Sequence, residues 1–286
     1  MNTSPVDRII EEIVTRQSLP SIPLSQKTII TRSSALSKNR RIATKLSSPT
    51  RSSTRYQPAI EQTSNVVKLG NRNYKRAELL PRNTAQEEYV EALLEKRMVF
   101  AVGPAGTGKT LLAVLRAIKA LRDGEINKII LTRPAVSVDE KHGFLPGTLN
   151  EKMEPWTKPI FDVFEEYYGL QETKTMLEDG TIEIAPLGFM RGRTFKHAIV
   201  VADEMQNATP DQMKMLLTRI GEGSSMIITG DLKQHDRGFD KNGLLDFLER
   251  FKSTPSNLMS ICRFGREHIE RDELVAEVLE IYGDKD

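Results

Sequence analysis

Eight consecutive residues of this sequence, Gly103 to Thr110, have the types and spacing of a loop that binds nucleotide phosphates. They read GPAGTGKT and fit the pattern G-x-x-x-x-G-K-[ST]. The glycines of such a loop let backbone N–H groups turn inward toward a polyphosphate. We expect Lys109 to reach the β- and γ-phosphates and the Thr110 hydroxyl to bind Mg²⁺. The sequence therefore predicts a site for a nucleoside triphosphate and Mg²⁺.

The predicted nucleotide contacts comprise this loop, the residue after it and one upstream glutamine. The full set is Gly103, Pro104, Ala105, Gly106, Thr107, Gly108, Lys109, Thr110, Leu111 and Gln86. Gln86 precedes the strand that leads into the loop, where a glutamine side chain could hydrogen-bond the edge of an adenine. A solvent-facing position on a helix is the alternative for this residue.

Two adjacent carboxylates, Asp203 and Glu204, come directly after an apolar run from His197 to Ala202. A strand that ends in two acids is the second half of a phosphate-loop site. Asp203 would hold Mg²⁺, directly or through water, and Glu204 would polarise the attacking water. Gln234 follows another apolar run, Ser225 to Thr229, and could touch the γ-phosphate there. These residues predict hydrolysis of the bound nucleotide.

Alternating strands and helices are needed to position these groups. Met98 to Val102 has the length and apolar character of a buried strand, and apolar residues then recur at helical spacing as far as Leu121. Further strands are predicted at Lys128–Thr132, Thr181–Ala185, His197–Ala202, Ser225–Thr229 and Asn257–Ile261, and further helices at Asn242–Phe251 and Arg271–Tyr282. This alternation predicts an α/β protein with a mostly parallel sheet flanked by helices.

Three threonines are predicted to begin helices as N-caps: Thr84, Thr148 and Thr209. Each is followed three residues later by Glu or Gln, which is the pattern of a capping box. The first of these helices should end around Lys96, and the last has Pro210 at its first helical position.

Length and composition limit the class of protein. The 286 residues can form one core of about 200 residues plus an appendage. No apolar run approaches the roughly 20 residues needed to cross a bilayer, so we expect no membrane partner. The single cysteine, Cys262, excludes an internal disulfide and suits the cytoplasm.

Charge divides the chain into a basic arm and an acidic body. Residues 1–80 carry 14 Lys and Arg against 5 Asp and Glu, whereas the remainder carries 27 against 34. No acidic residue lies between Ile13 and Ile60, and Ser, Thr and Pro are frequent there. Such a segment buries too little apolar area to repay the entropy of ordering. We predict a disordered or weakly ordered arm over residues 1–78 and an ordered domain over residues 79–286.

Three interpretations of the arm are considered. Its cations could bind nucleic acid, or the arm could be a solvated linker. The third, an organellar transit peptide, is disfavoured by the acidic residues near the start of the sequence. A second basic feature, the turn Met190–Thr194, places Arg191 and Arg193 beside a glycine. These two arginines could contact phosphate or belong to an ordinary surface turn.

Several segments together resemble one family, the PhoH-like ATPases that were first named for phosphate-starvation induction. They are GPAGTGKT, LTRPAV, GFLPG, IEIAPLGFMRGRT, the strand ending in DEMQN, TPDQMKMLLTRIG and ITGDLKQHD. The resemblance covers roughly residues 79–282 and assigns the phosphate loop to Gly103–Thr110, the acids to Asp203 and Glu204, and the sensor to Gln234. It implies a RecA-like core related to superfamily 1 helicases, ATP hydrolysis with Mg²⁺, a link to RNA, and ring-shaped oligomers such as a hexamer in a bacterial or phage-infected cell.

The sequence also departs from parts of the family pattern. The arm does not resemble the N-terminal region of longer members, and we expect neither a PIN-type nuclease domain nor a second RecA-like lobe. Work on nucleic acid would then need neighbouring subunits. In phosphoryl transfer an arginine commonly stabilises the developing charge. Arg219 is our preferred candidate for a catalytic arginine that acts on a neighbour's nucleotide, and Arg271 is the second; ordinary surface or ion-paired roles are the alternative.

The sequence as a whole predicts an ATP hydrolase coupled to single-stranded RNA or DNA. One alternative is a metal-dependent ribonuclease that uses Asp203, Glu204, Asp231 and Asp236. Another is a nucleotide-gated RNA-binding module with little turnover. A small-molecule kinase is also compatible with the phosphate loop.

Overall fold

The computed structural model describes residues 77–134, 149–234, 242–252, 254, 256–270 and 273–282. These residues form a six-stranded sheet whose paired strands all run parallel, with helices packed on both faces. This confirms the predicted α/β fold class, a parallel sheet flanked by helices. The arm up to residue 76 lies outside the described residues, as do Thr148, Asp236 and Arg271. Its predicted disorder and the predicted domain boundary stay predictions.

The strands follow one another in the spatial order β3-β2-β4-β5-β1-β6. They are β1 (Met98–Val102), β2 (Lys128–Thr132), β3 (Ile182–Ile184), β4 (Ala198–Ala202), β5 (Ser225–Gly230) and β6 (Met259–Arg263). All six predicted strands are present, and β6 lies two residues further along the chain than predicted. Because the strands are parallel, their carboxyl ends meet at one edge of the sheet. There β5 brings the segments after β1 and β4 to either side of its own end.

The described residues contain seven α-helices, of which the first precedes β1, the last follows β6 and the other five connect strands. They are α1 (Thr84–Glu95), α2 (Lys109–Arg122), α3 (Leu149–Tyr168), α4 (Leu170–Glu178), α5 (Pro210–Leu217), α6 (Gly243–Phe251) and α7 (Glu273–Tyr282). Helix α4 was not predicted, because it buries only Thr173 and Met176 and so gives a weak apolar pattern. None of the helices in the described part of the chain is long and apolar enough to span a bilayer.

The helix caps correct one prediction and confirm another. Asn83, and not Thr84, is the N-cap of α1, because its side chain accepts a hydrogen bond from the backbone N–H of Gln86 at 3.0 Å. Asn is as good a cap as Thr, and Thr84 is instead the first helical residue. At α5 the predicted capping box of Thr209 is present, with Pro210 at the helix start.

Two apolar cores pack against the central strands, one on each face of the sheet. Every residue of β1 and β4 is buried, as expected for central strands of a parallel sheet covered on both sides. On one face α1, α2 and α3 pack against the sheet, and on the other α5 and α6 do so. The carboxyl ends of β1, β4 and β5 are therefore held rigidly relative to one another.

The thiol of Cys262 on β6 provides a test of this packing. Burial raises its pKa from 9.0 to about 12. The fold disfavours the thiolate. The contribution of this thiol to the free energy of unfolding is therefore fully present below pH 9 and is lost as the pH rises through about 12. At pH 8 the thiolate fraction should be about 10³-fold lower than in the unfolded chain. We expect a disulfide reagent such as DTNB to label native protein at least about 100-fold more slowly than protein in guanidinium chloride. Equal rates would show that β6 is not packed in this way.

Candidate active site

A cavity of about 220 Å³ opens at the carboxyl edge of the sheet. It is lined by the loop residues Ala105 to Leu111 and by Asp203, Glu204, Thr229, Gly230, Asp231 and Gln234. The structure thus brings together both predicted acids, the predicted sensor glutamine and most of the predicted phosphate loop, which are up to about 130 residues apart in the chain. It also adds three residues that the sequence did not single out for nucleotide binding.

The phosphate loop adopts a conformation that requires glycine. Gly103, Gly106 and Gly108 have φ angles of 149°, 81° and 79°, a region that L-residues rarely enter. A Cβ atom on Gly103 would also lie 2.2 Å from the carbonyl oxygen of Phe264. The loop therefore passes against the residue that follows β6 and then turns directly into α2.

Lys109 is folded back over the loop. Its Nζ donates hydrogen bonds to the carbonyl oxygens of Gly103 at 2.8 Å and Pro104 at 2.6 Å, and to Thr107 Oγ1 at 3.2 Å. Burial lowers the pKa of Lys109, while the cavity carboxylates, Asp231 foremost, favour its charged form. Gly103 and Pro104 thus do not line the cavity but supply carbonyl groups that hold the lysine.

Thr110 and Asp203 meet as the sequence predicts. Thr110 Oγ1 donates a hydrogen bond to Asp203 Oδ1 at 2.8 Å, and Thr229 Oγ1 on β5 donates to the same oxygen. The Asp203 side chain is buried between these two hydroxyls. Hydroxyl and carboxylate oxygens are the ligand types that Mg²⁺ prefers, so Thr110 and Asp203 fit this ion.

Glu204 occupies a backbone conformation that is rare for any residue other than glycine. Its φ is 54° and its ψ 39°, in the left-handed region, where a side chain costs on the order of 1 kcal/mol or more. Such conformations cluster at functional sites. The turn points Asp203 toward the threonines and leaves Glu204 in the cavity wall.

A buried glutamine joins Glu204 to the end of β5. Gln206 Nε2 donates to Glu204 Oε2 at 2.6 Å, and Gln206 Oε1 accepts from the backbone N–H of Asp231 at 3.1 Å. Gln206 was not predicted as a site residue, although it lies two positions after Glu204. The signal that could have found it is a polar residue beside two acids in a segment that the fold must bury.

Gln234 reaches the cavity from the turn after β5. Its backbone N–H donates to the carbonyl oxygen of Asp231 at 3.1 Å, which closes the turn, and its side chain is exposed. Asp231 is buried at the start of this turn, and its carboxylate accepts the N–H of Lys233 at 2.9 Å. The predicted sensor therefore lies on a short, hydrogen-bonded turn next to the phosphate loop.

A known protein family matches the part of the chain that forms this site. The family described as PhoH-like protein matches residues 78–283. The chain belongs to the PhoH-like family. This confirms the resemblance predicted from the motifs, and it supports a nucleotide-binding protein of the phosphate-loop NTPase type.

Individual PhoH-like relatives match 71 to 74% of this chain. The chain is 47% identical over 213 residues to the PhoH-like protein of Bacillus subtilis (strain 168), covering 74% of this chain and 66% of that protein. It is 43% identical over 208 residues to Protein PhoH of Escherichia coli (strain K12), covering 71% and 58%. The match thus spans 58 to 66% of the length of these two relatives.

A solved structure, the Pif1 helicase from Candida albicans, aligns with 69% of this PhoH-like chain and 43% of its own chain. The two are 16% identical with a TM-score of 0.35. This likeness is too weak to bear on the fold or the function.

Gln86 lies behind the phosphate loop of the PhoH-like site and not in the cavity wall. It is 4% exposed, so the solvent-facing alternative is wrong. Its Nε2 donates to the carbonyl oxygen of Thr107 at 3.1 Å, and its Oε1 accepts from the N–H of Arg82 at 2.9 Å. In this structure Gln86 holds the loop against α1. The adenine contact stays a prediction. To make that contact, the amide would have to give up its hydrogen bonds with Thr107 and Arg82.

Arg219 lies at the opposite edge of the sheet from the cavity. Its backbone carbonyl accepts the N–H of Phe195, which precedes β4. Its guanidinium donates to the carbonyl oxygens of Met215 at 3.0 Å and Arg193 at 3.1 Å, and to Thr218 Oγ1 at 3.0 Å. Arg219 follows α5, which ends at Leu217. Its action on a neighbour's nucleotide stays a prediction.

The two arginines of the turn after β3 have different surroundings. Arg193 forms a two-pronged ion pair with Glu183, which lowers the pKa of that carboxyl, and its guanidinium lies 4.7 Å from the centroid of the Phe195 ring. Arg191 is exposed. Arg193 is therefore half-buried and ion-paired, whereas Arg191 is exposed to solvent.

Arg263 is a cation beside the phosphate loop that sequence analysis did not select. It ends β6 in register with Val102, the residue just before the loop. Its Nε and Nη1 are buried and have no hydrogen-bond partner among the described residues. Burial lowers its pKa to about 10, so it keeps its charge at neutral pH. The end of β6 next to the loop therefore carries a positive charge at neutral pH.

Proposed function

We propose that this PhoH-like protein hydrolyses ATP to ADP and phosphate with the help of Mg²⁺. The observation that carries the proposal is the convergence in one cavity of a phosphate loop with Lys109, the hydrogen-bonded pair Thr110–Asp203, and Glu204. Each group has one of the roles that phosphoryl transfer to water requires.

The phosphate loop and α2 would bind the triphosphate. The inward N–H groups and the positive end of α2 favour anionic phosphates. Lys109 is charged and already held above the loop by carbonyl oxygens. A phosphate oxygen would replace these neutral acceptors with a charged one, and such charge-assisted hydrogen bonds are roughly twice as strong. Binding therefore draws Lys109 toward the β- and γ-phosphates.

Thr110 and Asp203 would hold Mg²⁺, and Glu204 would act on the water. The ion, when bound, neutralises charge that develops on the phosphate oxygens. Thr229 fixes Asp203 from the side of β5. The oxygen of the water bonds to the γ-phosphorus while Glu204 accepts a proton from that water. At the same time the bond between the γ-phosphorus and the β-phosphate oxygen breaks. Gln234 contacts the γ-phosphate from the turn after β5.

The ribonuclease alternative receives less support from these contacts. Two of the four acids that it would use, Asp203 and Glu204, already have the roles of Mg²⁺ ligand and water-activating group in the proposed ATP site. The Asp231 carboxylate accepts a backbone N–H of its own turn, and Asp236 lies outside the described residues.

We further propose that hydrolysis is coupled to single-stranded RNA or DNA. Support comes from the basic composition of residues 1–78 and from the exposed Arg191. The coupling is tested by phosphate-release rates with no polynucleotide, with single-stranded RNA, with single-stranded DNA and with duplexes. Faster release with one single-stranded polymer supports the proposal, and the same rate in all four contradicts it.

The arm makes a separate prediction about salt. If about six of its Lys and Arg contact phosphates, the logarithm of affinity for a single strand should fall with log[salt] at a slope near −4, since the slope is about −0.7 for each contact. Removal of residues 1–78 should flatten this slope and leave the basal ATPase unchanged. A filter-binding or fluorescence titration across salt concentrations measures it. An unchanged slope would identify the arm as a linker.

A catalytic arginine supplied by a neighbour makes a prediction about mixtures. Inactive Lys109→Ala and inactive Arg219→Ala subunits, mixed and allowed to reassemble, should recover part of the ATPase, because each pair of neighbours then forms some complete sites. Light scattering should show an oligomer under the same conditions. Full activity of a monomer would contradict the idea. Thermal melting of Arg219→Ala separates this effect from loss of the intrachain hydrogen bonds of Arg219.

A further inference from the structure

We propose that Gln206 is a positioning residue that holds Glu204 in place and couples it to the turn that carries Gln234. This inference rests on the proposed ATP hydrolysis, in which Glu204 acts on the water. It assigns to a buried amide the task of linking the acid after β4 to the sensor after β5.

The partners of Gln206 fix the orientation of its amide. The backbone N–H of Asp231 can only donate, so the amide oxygen must face it, at 3.1 Å. An ionised Glu204 can only accept, so the amide nitrogen must face its carboxylate, at 2.6 Å. One planar amide therefore bridges the segments that follow β4 and β5. A reversed amide would place two donors together at Asp231 and two acceptors together at Glu204.

The space around Gln206 leaves little room for another arrangement. Gln206 is 0% exposed. A Cβ atom on Gly230 would lie 2.9 Å from Gln206 Oε1 and 2.6 Å from Leu244 Cδ2, so the amide packs directly against the backbone of β5. A buried amide that lost a partner would incur the desolvation penalty of an unpaired polar group. The two hydrogen bonds are thus expected to persist together.

Through Gln206, a movement of the turn from Asp231 to Gln234 can change the position of Glu204. Asp231 begins the turn that its carbonyl oxygen closes with the N–H of Gln234. A shift of this turn when Gln234 contacts the γ-phosphate moves the Asp231 N–H, and with it the amide that holds Glu204. A displacement of a reacting group by about 1 Å costs on the order of 10² in rate. Glu204 also needs outside support because its left-handed backbone is intrinsically unfavourable.

Two variants separate the roles of the amide. Gln206→Met has similar volume and loses both hydrogen bonds. Gln206→Glu is isosteric, keeps an acceptor for Asp231 and replaces the donor to Glu204 with a carboxylate. We expect each to lower kcat at least about 10-fold while KM for ATP stays within about 3-fold, because neither touches the phosphate loop. Gln171→Glu, at an exposed position of α4, introduces the same charge and should behave like wild type.

A double-mutant cycle tests whether Gln206 acts through Glu204. In a Glu204→Ala background, Gln206→Met should cause no further loss in single-turnover hydrolysis, since the group that it positions is already absent. A role limited to folding would slow both backgrounds equally and lower the melting temperature. If Gln206→Met does not fold, Gln206→Glu takes its place in the cycle.

The outcomes distinguish this inference from the proposed function. A loss of kcat that disappears in the Glu204→Ala background supports the inference. Wild-type kcat in both Gln206 variants, or an equal loss in both backgrounds, overturns it while ATP hydrolysis stands. Absence of phosphate release from wild-type protein, with ATP bound, overturns the proposed function and this inference with it.

Discussion

Glu204→Gln should leave ATP binding intact and slow hydrolysis at least 10²-fold, on the order of 3 kcal/mol of activation free energy. The amide keeps the shape of the side chain and can still contact Gln206, but it cannot accept a proton from water. The phosphate loop, Lys109 and the Thr110–Asp203 pair are not altered by the change. Equilibrium binding of a fluorescent ATP analogue and single-turnover hydrolysis of ATP measure the two effects separately.

A matched control for this variant lies on α4. Glu178→Gln removes the same charge at an exposed position remote from the cavity, and it should hydrolyse ATP at the wild-type rate. Wild-type turnover by Glu204→Gln would show that another group activates the water. Loss of ATP binding in Glu204→Gln would instead indicate that the acid is needed to form the site.

Lys109→Ala should lose both binding and turnover. The lysine is the cation held directly above the loop, where its Nζ contacts two loop carbonyl oxygens, and no other Lys or Arg lines the described cavity. Its removal leaves the loop N–H groups to bind the triphosphate without a compensating charge. Isothermal titration with ATP and a phosphate-release assay should both give no signal above background.

Lys174→Ala provides the corresponding control. Lys174 is exposed on α4, so its removal changes the net charge equally without affecting the cavity. Wild-type affinity for ATP in Lys109→Ala would contradict the assigned phosphate-binding role, whereas parallel loss in both variants would indicate a nonspecific charge effect.

The sequence predicts the central strands of this protein well because they are buried on both faces. The continuous apolar runs at β1 and β4 leave few alternatives, and the phosphate-loop pattern then fixes which strand end carries the site. Asp203 and Glu204 follow from the same logic, since parallel strands bring their carboxyl ends together. These predictions depend on local sequence patterns, which can be recognised without knowing the long-range contacts of the fold.

Two of the contacts that the sequence could not predict join distant segments. Thr229 touches Asp203 across 26 residues, and Gln206 meets Asp231 across 25. A threonine within an apolar strand and a glutamine after an acid pair have many structural roles, and only the strand order β4-β5 places them at the site. Gln86 was predicted near the nucleotide for its type, but its burial behind the loop depends on how α1 packs.

The proposed hydrolysis is tested most directly by product analysis with the full chain, ATP and Mg²⁺. We predict that ADP and phosphate appear in equal amounts over many turnovers, and that both vanish when EDTA removes Mg²⁺ and in Lys109→Ala protein. Tight ATP binding without phosphate release would contradict the proposal and favour a nucleotide-gated binding module.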